Sequence, residues 1–237
     1  MYSFEVSDNV PARFAEVAHA SLMARGLTLL SGGSTIRELT EPLAKTLASR
    51  PAAPTASLGQ VDERVVPLDD ASSNWHTITE HLPADLVDGH PMLRVNDSLL
   101  ERAQQESPPY SDDVSNFARR AAREYAQWMR TVSPWTMIHL GLGPDGHTAS
   151  LFPGSQALAD SSDDVAINFD PNGNNPHLRL TVTMQAIVRF TQRVIVAVGS
   201  TKAEIVARVM AGEPLPITQL PEEGTLFLLD AESAALL

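Results

Sequence analysis

The sequence predicts an α/β fold built around a largely parallel sheet. Two observations carry that prediction. Short apolar runs alternate with longer stretches of helical period, the pattern of successive βαβ units, and no internal repeat, low-complexity tract or clear linker interrupts the 237 residues. One domain over residues 1–237 is the economical reading, with a helical excursion over residues 97–132.

LTLL, from Leu27 to Leu30, reads as a buried strand that breaks at SGGST. Ile36, Leu39, Leu43 and Leu47 then fall on one helical stripe. Pro42 is expected to kink or restart that helix near Thr40, because proline removes a backbone donor and clashes with the preceding turn. TASLGQV, Thr55 to Val61, reads as a strand feeding the polar turn DERVVPLDDASSN, whose Ser73 or Asn74 caps a helix running to about His81. MLRV, beginning at Met92, reads as a short strand, and residues 101–112, with ESPPYSDD, as the most loop-like part of this half.

From Asp113 to Val132 the spacing of Val114, Phe117, Ala121, Tyr125 and Trp128 predicts an amphipathic helix. TMIHLGL is the next strand, and the Pro, Asn and Gly cluster between Ser161 and His177 marks turns. LRLTVTM and RVIVAVG read as strands and TKAEIVARVMAG as a helix ended by Gly212. TLFLLD is a last strand and AESAALL a short terminal helix.

Hydrophobic residues at 43% and charged residues at 19% describe an ordinary globular chain, and no apolar run approaches the length of a membrane span. The start, MYSFEVSDNVPARF, lacks the basic and apolar regions of a secretory signal, so the mature protein is expected to begin at Met1. The absence of cysteine excludes disulfides, thiolate nucleophiles and cysteine-based metal sites, and a cytoplasmic location is the expectation. Lys plus Arg number 17 against 29 Asp plus Glu, a net charge of -12, which repels nucleic acid and anionic membranes. Any anionic ligand must therefore meet a local basic pocket, and neither a nucleic-acid nor a membrane partner is expected.

SGGST, holding Gly32, Gly33, Ser34 and Thr35, follows a buried strand and opens a helix. Glycine lets backbone N–H groups approach an anion, and the helix dipole favours negative charge, so phosphate is one ligand it suits; a tight turn capped by Ser34 is the other reading. In DER, Arg64 offers a planar fork for phosphate or carboxylate, or belongs to a solvated charge run. Arg179 and Lys202 are isolated cations near strand or turn ends.

GLGPDGH is the strongest signal. It follows an apolar strand, so Asp145 and His147 project at one sheet edge. A carboxylate beside a histidine fixes its tautomer and raises its basicity. A metal site is the weaker reading, because one Asp and one His two apart lack a third ligand and no His-x-x-His pattern appears. His139 lies inside the preceding strand and reads as a core or surface residue. Ser150 lacks the Gly-x-Ser-x-Gly elbow of a nucleophile.

Taken in order, LSGGST, DERVVPLDDASSN, LGLGPDGHTASLFPG, RLTVT and GSTKAEIV resemble the 6-phosphogluconolactonase family, from about Leu27 to the tail of the chain. The resemblance implies the sugar-phosphate isomerase/deaminase-like fold, a three-layer α/β/α sandwich with a mainly parallel sheet. It implies hydrolysis of 6-phospho-D-glucono-1,5-lactone in the oxidative pentose phosphate pathway, with no metal and no cofactor. By the same resemblance His147 is the general base with Asp145 beside it. The phosphate lies on Gly32, Gly33, Ser34, Thr35 and Arg64, with Arg179 and Lys202 close by. Ile36, Ser200 and the bulky stretch after RLTVTM depart from the usual family pattern, which leaves the exact role of Lys202 open, and the sequence leaves undecided whether Arg179 or Lys202 holds phosphate or polarises the carbonyl.

Two other readings stand beside the lactonase: a glucosamine-6-phosphate deaminase or aldose-ketose isomerase on the same fold, and a non-catalytic phosphosugar sensor. Similar deaminases carry a carboxylate a few residues after Asp-Gly-His, whereas here TASLFPG follows and no acid appears until Asp160. The sequence leaves monomer and homodimer both open.

Overall fold

Alternation along the central strands decides how the layers stack. Within β6 (Trp135–Gly141) Ile138 and Leu140 belong to one apolar cluster while Met137 belongs to another. The same split separates Ile195 from Val194 and Val196, and Phe227 from Leu228. Strand side chains point to opposite faces in turn, so a sheet apolar on both faces must be covered on both. The computed structural model describes residues 2–33, 35–49, 53–82, 88–94, 97–159 and 162–237.

In chain order the elements are β1 (Ser3–Val6), α1 (Val10–Met23), β2 (Leu27–Leu30), α2 (Ile36–Ala48), β3 (Ser57–Gln60), β4 (Asp62–Arg64), α3 (Asn74–Thr79) and β5 (Asp88–His90). They continue as α4 (Ser98–Gln105), α5 (Asp112–Thr131), β6, α6 (Gln156–Ala159), β7 (Val165–Asn168), β8 (Arg179–Val182), α7 (Met184–Ile187), β9 (Gln192–Ala197), α8 (Ala203–Met210) and β10 (Thr225–Leu229). Seven strands form one sheet in the order β1-β10-β9-β6-β2-β3-β5, and every pairing in it is parallel.

Phe14 and Leu22 of α1 and Leu39 and Leu43 of α2 cover one face. Tyr125 and Met129 of α5 with Ile205 and Val206 of α8 cover the other. This is a three-layer α/β/α sandwich, as the sequence implies. Each fully buried aliphatic side chain contributes about 1.5–3 kcal/mol, which is why the helix does not restart at Pro42. The helix α2 runs unbroken through Pro42, because Ile36, Leu39, Leu43 and Leu47 are buried on both sides of it. Their combined burial outweighs the roughly 3 kcal/mol that an interior proline costs.

After β3 the chain leaves the parallel sheet. Val61 still donates to Leu30, but its own carbonyl accepts from Val182 N–H at 2.9 Å, and residues 62–64 join a separate antiparallel sheet ordered β4-β8-β7. DER is thus a strand rather than part of a turn, and β7 lies inside a stretch that turn residues alone would label as loop. Tyr125 of α5 ties the two regions, its hydroxyl donating to the Gln60 carbonyl and accepting from the Gln60 N–H, both at 2.8 Å.

Several sequence expectations are corrected. Residues 92–94 of MLRV are not a strand; the edge strand is β5, just before them, and Val95 lies outside the described residues. Much of residues 101–112 is helical, since Asp97 caps α4 by accepting from Leu99 N–H, and only residues 106–111 connect α4 to α5. The AESAALL tail forms turns rather than a helix. Lys202 ends a 3-10 turn over Ser200–Lys202 that precedes α8. The opening pair β1 and α1 carries no motif and went unread in the sequence.

Candidate active site

The central parallel strands β2, β6 and β9 end side by side, and the segments leaving their carboxyl ends border one cleft of about 300 Å³. Ligands of open parallel sheets bind at this edge. Gly32, Gly33, Thr35, Arg64, His147, Arg179 and Lys202 all line the cleft, although they are scattered over 170 positions from residue 32 to 202. Ser34 lies outside the described residues.

The GLGPDGH loop closes on itself before it presents its histidine. Gly146 donates to the Gly143 carbonyl at 3.0 Å and Gly143 to the His147 carbonyl at 2.9 Å. Gly146 has φ +79°, a conformation that glycine reaches without a steric penalty. Asp145 Oδ1 then accepts twice from His147, from its backbone N–H at 3.1 Å and at Nδ1 at 2.5 Å. An ionised carboxylate is acceptor only, so Nδ1 carries the proton and Nε2 keeps its lone pair. The Phe152 ring packs at 4.9 Å from the imidazole. Gly143 completes the seat: a Cβ there would lie 2.2 Å from His147 Nδ1 and Cε1. Asp145 is absent from the cleft wall and stands behind the histidine.

The basic side of the cleft comes from the small sheet. Arg64 on β4 and Arg179 on β8 are direct cross-strand partners, and like charges placed opposite one another destabilise a sheet. Arg64 Nη1 donates to the Ser72 carbonyl at 2.5 Å. Arg179 Nη2 donates to the Pro176 carbonyl at 3.3 Å and Nη1 lies 3.8 Å from Asp62 Oδ2. Both Nε atoms are buried, and neither has a hydrogen-bond partner among the described residues. Burial, with Arg64 adding to it, pushes the Arg179 guanidinium down to about 10. Two crowded guanidiniums with buried donors to spare suit a tetrahedral oxyanion.

Lys202 crosses from the β9 side, and its Nζ donates to the Leu142 carbonyl at 2.6 Å, on the histidine loop. Burial lowers its affinity for a proton and the Asp145 charge works the other way. Facing it, the SGG turn is fixed through His139. Ser31 N–H donates to His139 Nδ1 at 3.3 Å and Ser31 Oγ to the His139 carbonyl at 2.9 Å. His139 is a buried core residue, as one of the two sequence readings had it, and burial pushes it down to about 3. Gly33 adopts φ +93°. Thr35 precedes α2 with no side-chain capping bond among the described residues, and it lines the cleft.

Four further residues matter here and were not singled out for the site by sequence reasoning. Asn74, seen there only as a possible cap, donates from Nδ2 to the Asp62 carbonyl at 2.9 Å while its Oδ1 is buried without a hydrogen-bond partner among the described residues. Asp62 Oδ2 accepts from Ser150 Oγ at 2.7 Å, which commits that serine to structure. The Glu63 carboxylate is buried and accepts from Arg64, Asn74 and Trp75 backbone N–H groups, from Gln60 Nε2 and from Ser73 Oγ, at 2.6–3.0 Å. Burial pushes its carboxyl upward against those donors. Asn175 lines the cleft beside Arg179. The signal for Glu63 and Asn74 was available in the DER to SSN spacing: a charge after a strand with cap residues ten and eleven positions on.

Comparison with known proteins agrees with this fold. Residues 3–228 match the family described as glucosamine-6-phosphate isomerases/6-phosphogluconolactonase. A 6-phosphogluconolactonase from Rattus norvegicus is 32% identical over 220 residues, covering 88% of this chain and 79% of the relative. The solved structure of a 6-phosphogluconolactonase from Leishmania guyanensis superposes with a TM-score of 0.79 at 25% identity, covering 99% of this chain and 98% of that one. A monomeric glucosamine-6-phosphate deaminase shares the fold, with a TM-score of 0.76 at 17% identity over the whole of both chains. The chain belongs to the glucosamine-6-phosphate isomerase/6-phosphogluconolactonase family.

Proposed function

We propose that this protein hydrolyses 6-phospho-D-glucono-1,5-lactone to 6-phospho-D-gluconate, a step of the oxidative pentose phosphate pathway. One observation carries the reading: a histidine held by a carboxylate at 2.5 Å and a facing pair of arginines line a single cleft. An acid-base device and an anion grip in one cavity suit a phosphorylated substrate that needs one proton moved.

In this mechanism the phosphate sits between Arg64 and Arg179 and on the N–H groups of the Gly32, Gly33, Ser34 and Thr35 turn. His147 Nε2 takes a proton from water, and the hydroxide attacks the lactone carbonyl. Lys202, anchored on the histidine loop, is assigned to the charge that develops on the carbonyl oxygen. The imidazolium formed is stabilised by Asp145, and it returns the proton to the ring oxygen as the C–O bond breaks. Acid-base work of this kind contributes on the order of 10²- to 10⁴-fold. The assignment of Arg179 to phosphate and Lys202 to the carbonyl is supported by their partners: Arg179 faces Arg64, while Lys202 faces Leu142.

The deaminase reading is disfavoured by the absence of an acid in the TASLFPG segment after His147. A chain with no cysteine suits the reducing cytoplasm, which is the compartment proposed. Purified protein in a pH-stat assay with the lactone should exceed spontaneous hydrolysis and release no ammonia from glucosamine 6-phosphate. Failure to exceed the spontaneous rate would reject the lactonase, leaving a deaminase if ammonia appears and a sensor if it does not.

A further inference from the structure

The segment between β7 and β8 brings to the cleft a group for which the hydrolytic steps have no use. Asp170, just after β7, is buried, and its carboxylate gathers the loop. Oδ1 accepts from the Asn172 backbone N–H at 2.8 Å. Oδ2 accepts from the Asn175 backbone N–H at 3.1 Å and from the Asn175 side-chain nitrogen at 2.8 Å. Burial works to raise the Asp170 carboxyl, but these donors together with nearby His147 outweigh it and hold the group below its ordinary value.

An ionised carboxylate only accepts, so the Asn175 amide must turn an N–H toward it. That settles which way round the amide sits. Its neighbour Pro176 accepts from Arg179 Nη2 at 3.3 Å, and Arg179 lies 6.0 Å from the centre of the Phe152 ring, on which His147 also packs. The Asn175 side chain is therefore on the same wall as the proposed base and anion grip. With one N–H committed to Asp170, it has a carbonyl oxygen and a second N–H to offer the cleft. An adjacent donor and acceptor match an alcohol, which is both, better than a phosphate, which the carbonyl repels.

We infer that Asn175 is a specificity-determining residue that reads a ring hydroxyl of the sugar, and that Asp170 is the positioning residue that aims it. The inference rests on the lactonase reading and deepens it. A site built to bond a hydroxyl rejects the analogue that lacks it, because the buried partner is then left unpaired.

The test is steady-state hydrolysis of 6-phosphogluconolactone and its 2-, 3- and 4-deoxy counterparts by wild type, Asn175→Ala, Asn175→Ser and Asp170→Asn. For the parent lactone Asn175→Ala should lower kcat/KM about 5- to 10-fold, the worth of one neutral hydrogen bond. For one of the three deoxy lactones it should change nothing, since the hydroxyl it would read is already gone. Asp170→Asn should lose selectivity at that same ring position, and Asn175→Ser should fall between wild type and alanine. An equal loss on all four lactones would mean a merely structural role and overturn the inference, as would no loss on any. A wild type no faster than water defeats the lactonase reading as well, and that result is visible before any variant is compared.

Discussion

Gly32 and Asn74 interlock: a Cβ on Gly32 would stand 2.1 Å from Asn74 Oδ1. The same asparagine holds the Asp62 carbonyl through Nδ2 at 2.9 Å, so one side chain spaces the SGG turn from the strand that bears Arg64. Gly32→Ala should force Asn74 aside at a cost of about 1–3 kcal/mol and spread the anion grip. Steady-state kinetics should give a raised KM for the lactone with a smaller change in kcat. Asn74→Gly in the same background should recover part of the loss, because it removes Oδ1, Cγ and Cβ, which stand 2.1, 2.3 and 2.6 Å from the added methyl group.

Gly143 supplies a second steric test, aimed at the base instead of the anion. A methyl group at this position meets the His147 ring at 2.2 Å and Asp145 Oδ1 at 2.8 Å. Gly143→Ala should lower kcat nearly as far as His147→Ala, which is expected to cost about 10²- to 10⁴-fold, with KM little changed in both. If Gly143→Ala retains wild-type kcat, the imidazole does not need its observed seat.

The repulsion between Arg64 and Arg179 makes an anion a stabilising ligand. Inorganic phosphate at a hundred times its Kd should add about 2.7 kcal/mol, read as a rise of roughly 5–10 °C in Tm for a chain of this size. Arg179→Met should abolish that rise, and because it leaves the buried Asp62 carboxylate without its cation it should also lower the Tm without phosphate. Sulfate should act like phosphate, and chloride should not.

Acid sensitivity should centre on His139. Its folded value of about 3 lies below the ordinary 6.5, because the buried ring resists charge. Between these values the unfolded chain binds one proton more than the folded one, so stability rises with pH and is lost as pH falls from 6.5 toward 3. The slope is about 1.4 kcal/mol per pH unit for one proton. Urea unfolding at pH 7, 6 and 5 should show His139→Asn losing less stability than wild type across that interval, even if it starts lower at pH 7.

Where sequence reasoning succeeded, the information was local. The Leu27–Leu30 strand, the stripe on α5 and the Asp145-His147 pair each declare themselves within a few residues by period or by turn chemistry. It failed where partners are distant. Three residues of DER look like a turn until β8 supplies hydrogen bonds from 115 positions away. Residues 165–168 read as loop because the flanking Asp, Asn and Gly dominate a short strand whose partner is β8. Pro42 misled because propensity was weighed without the burial on either side of it. In the site His147, Asp145, Arg64, Arg179 and Lys202 stood out one by one and Glu63 and Asn74 were readable only from their spacing, whereas Asn175 gave no signal, since an amide acquires its meaning from the one acceptor or donor it faces.

The pairing of β4 with β8 has a consequence for how the proposed anion grip is inherited. Arg64 and Arg179 share one face only because Asp62, Glu63 and Arg64 lie opposite Thr181, Leu180 and Arg179 in that order. A one-residue slip of either strand would turn its guanidinium to the far side of the sheet. Inserting or deleting a single residue between Val61 and Arg64, or between Pro176 and Arg179, would therefore erase the grip while every cation remained in the sequence. What such a lineage must conserve at this place is a count of residues as much as their identities.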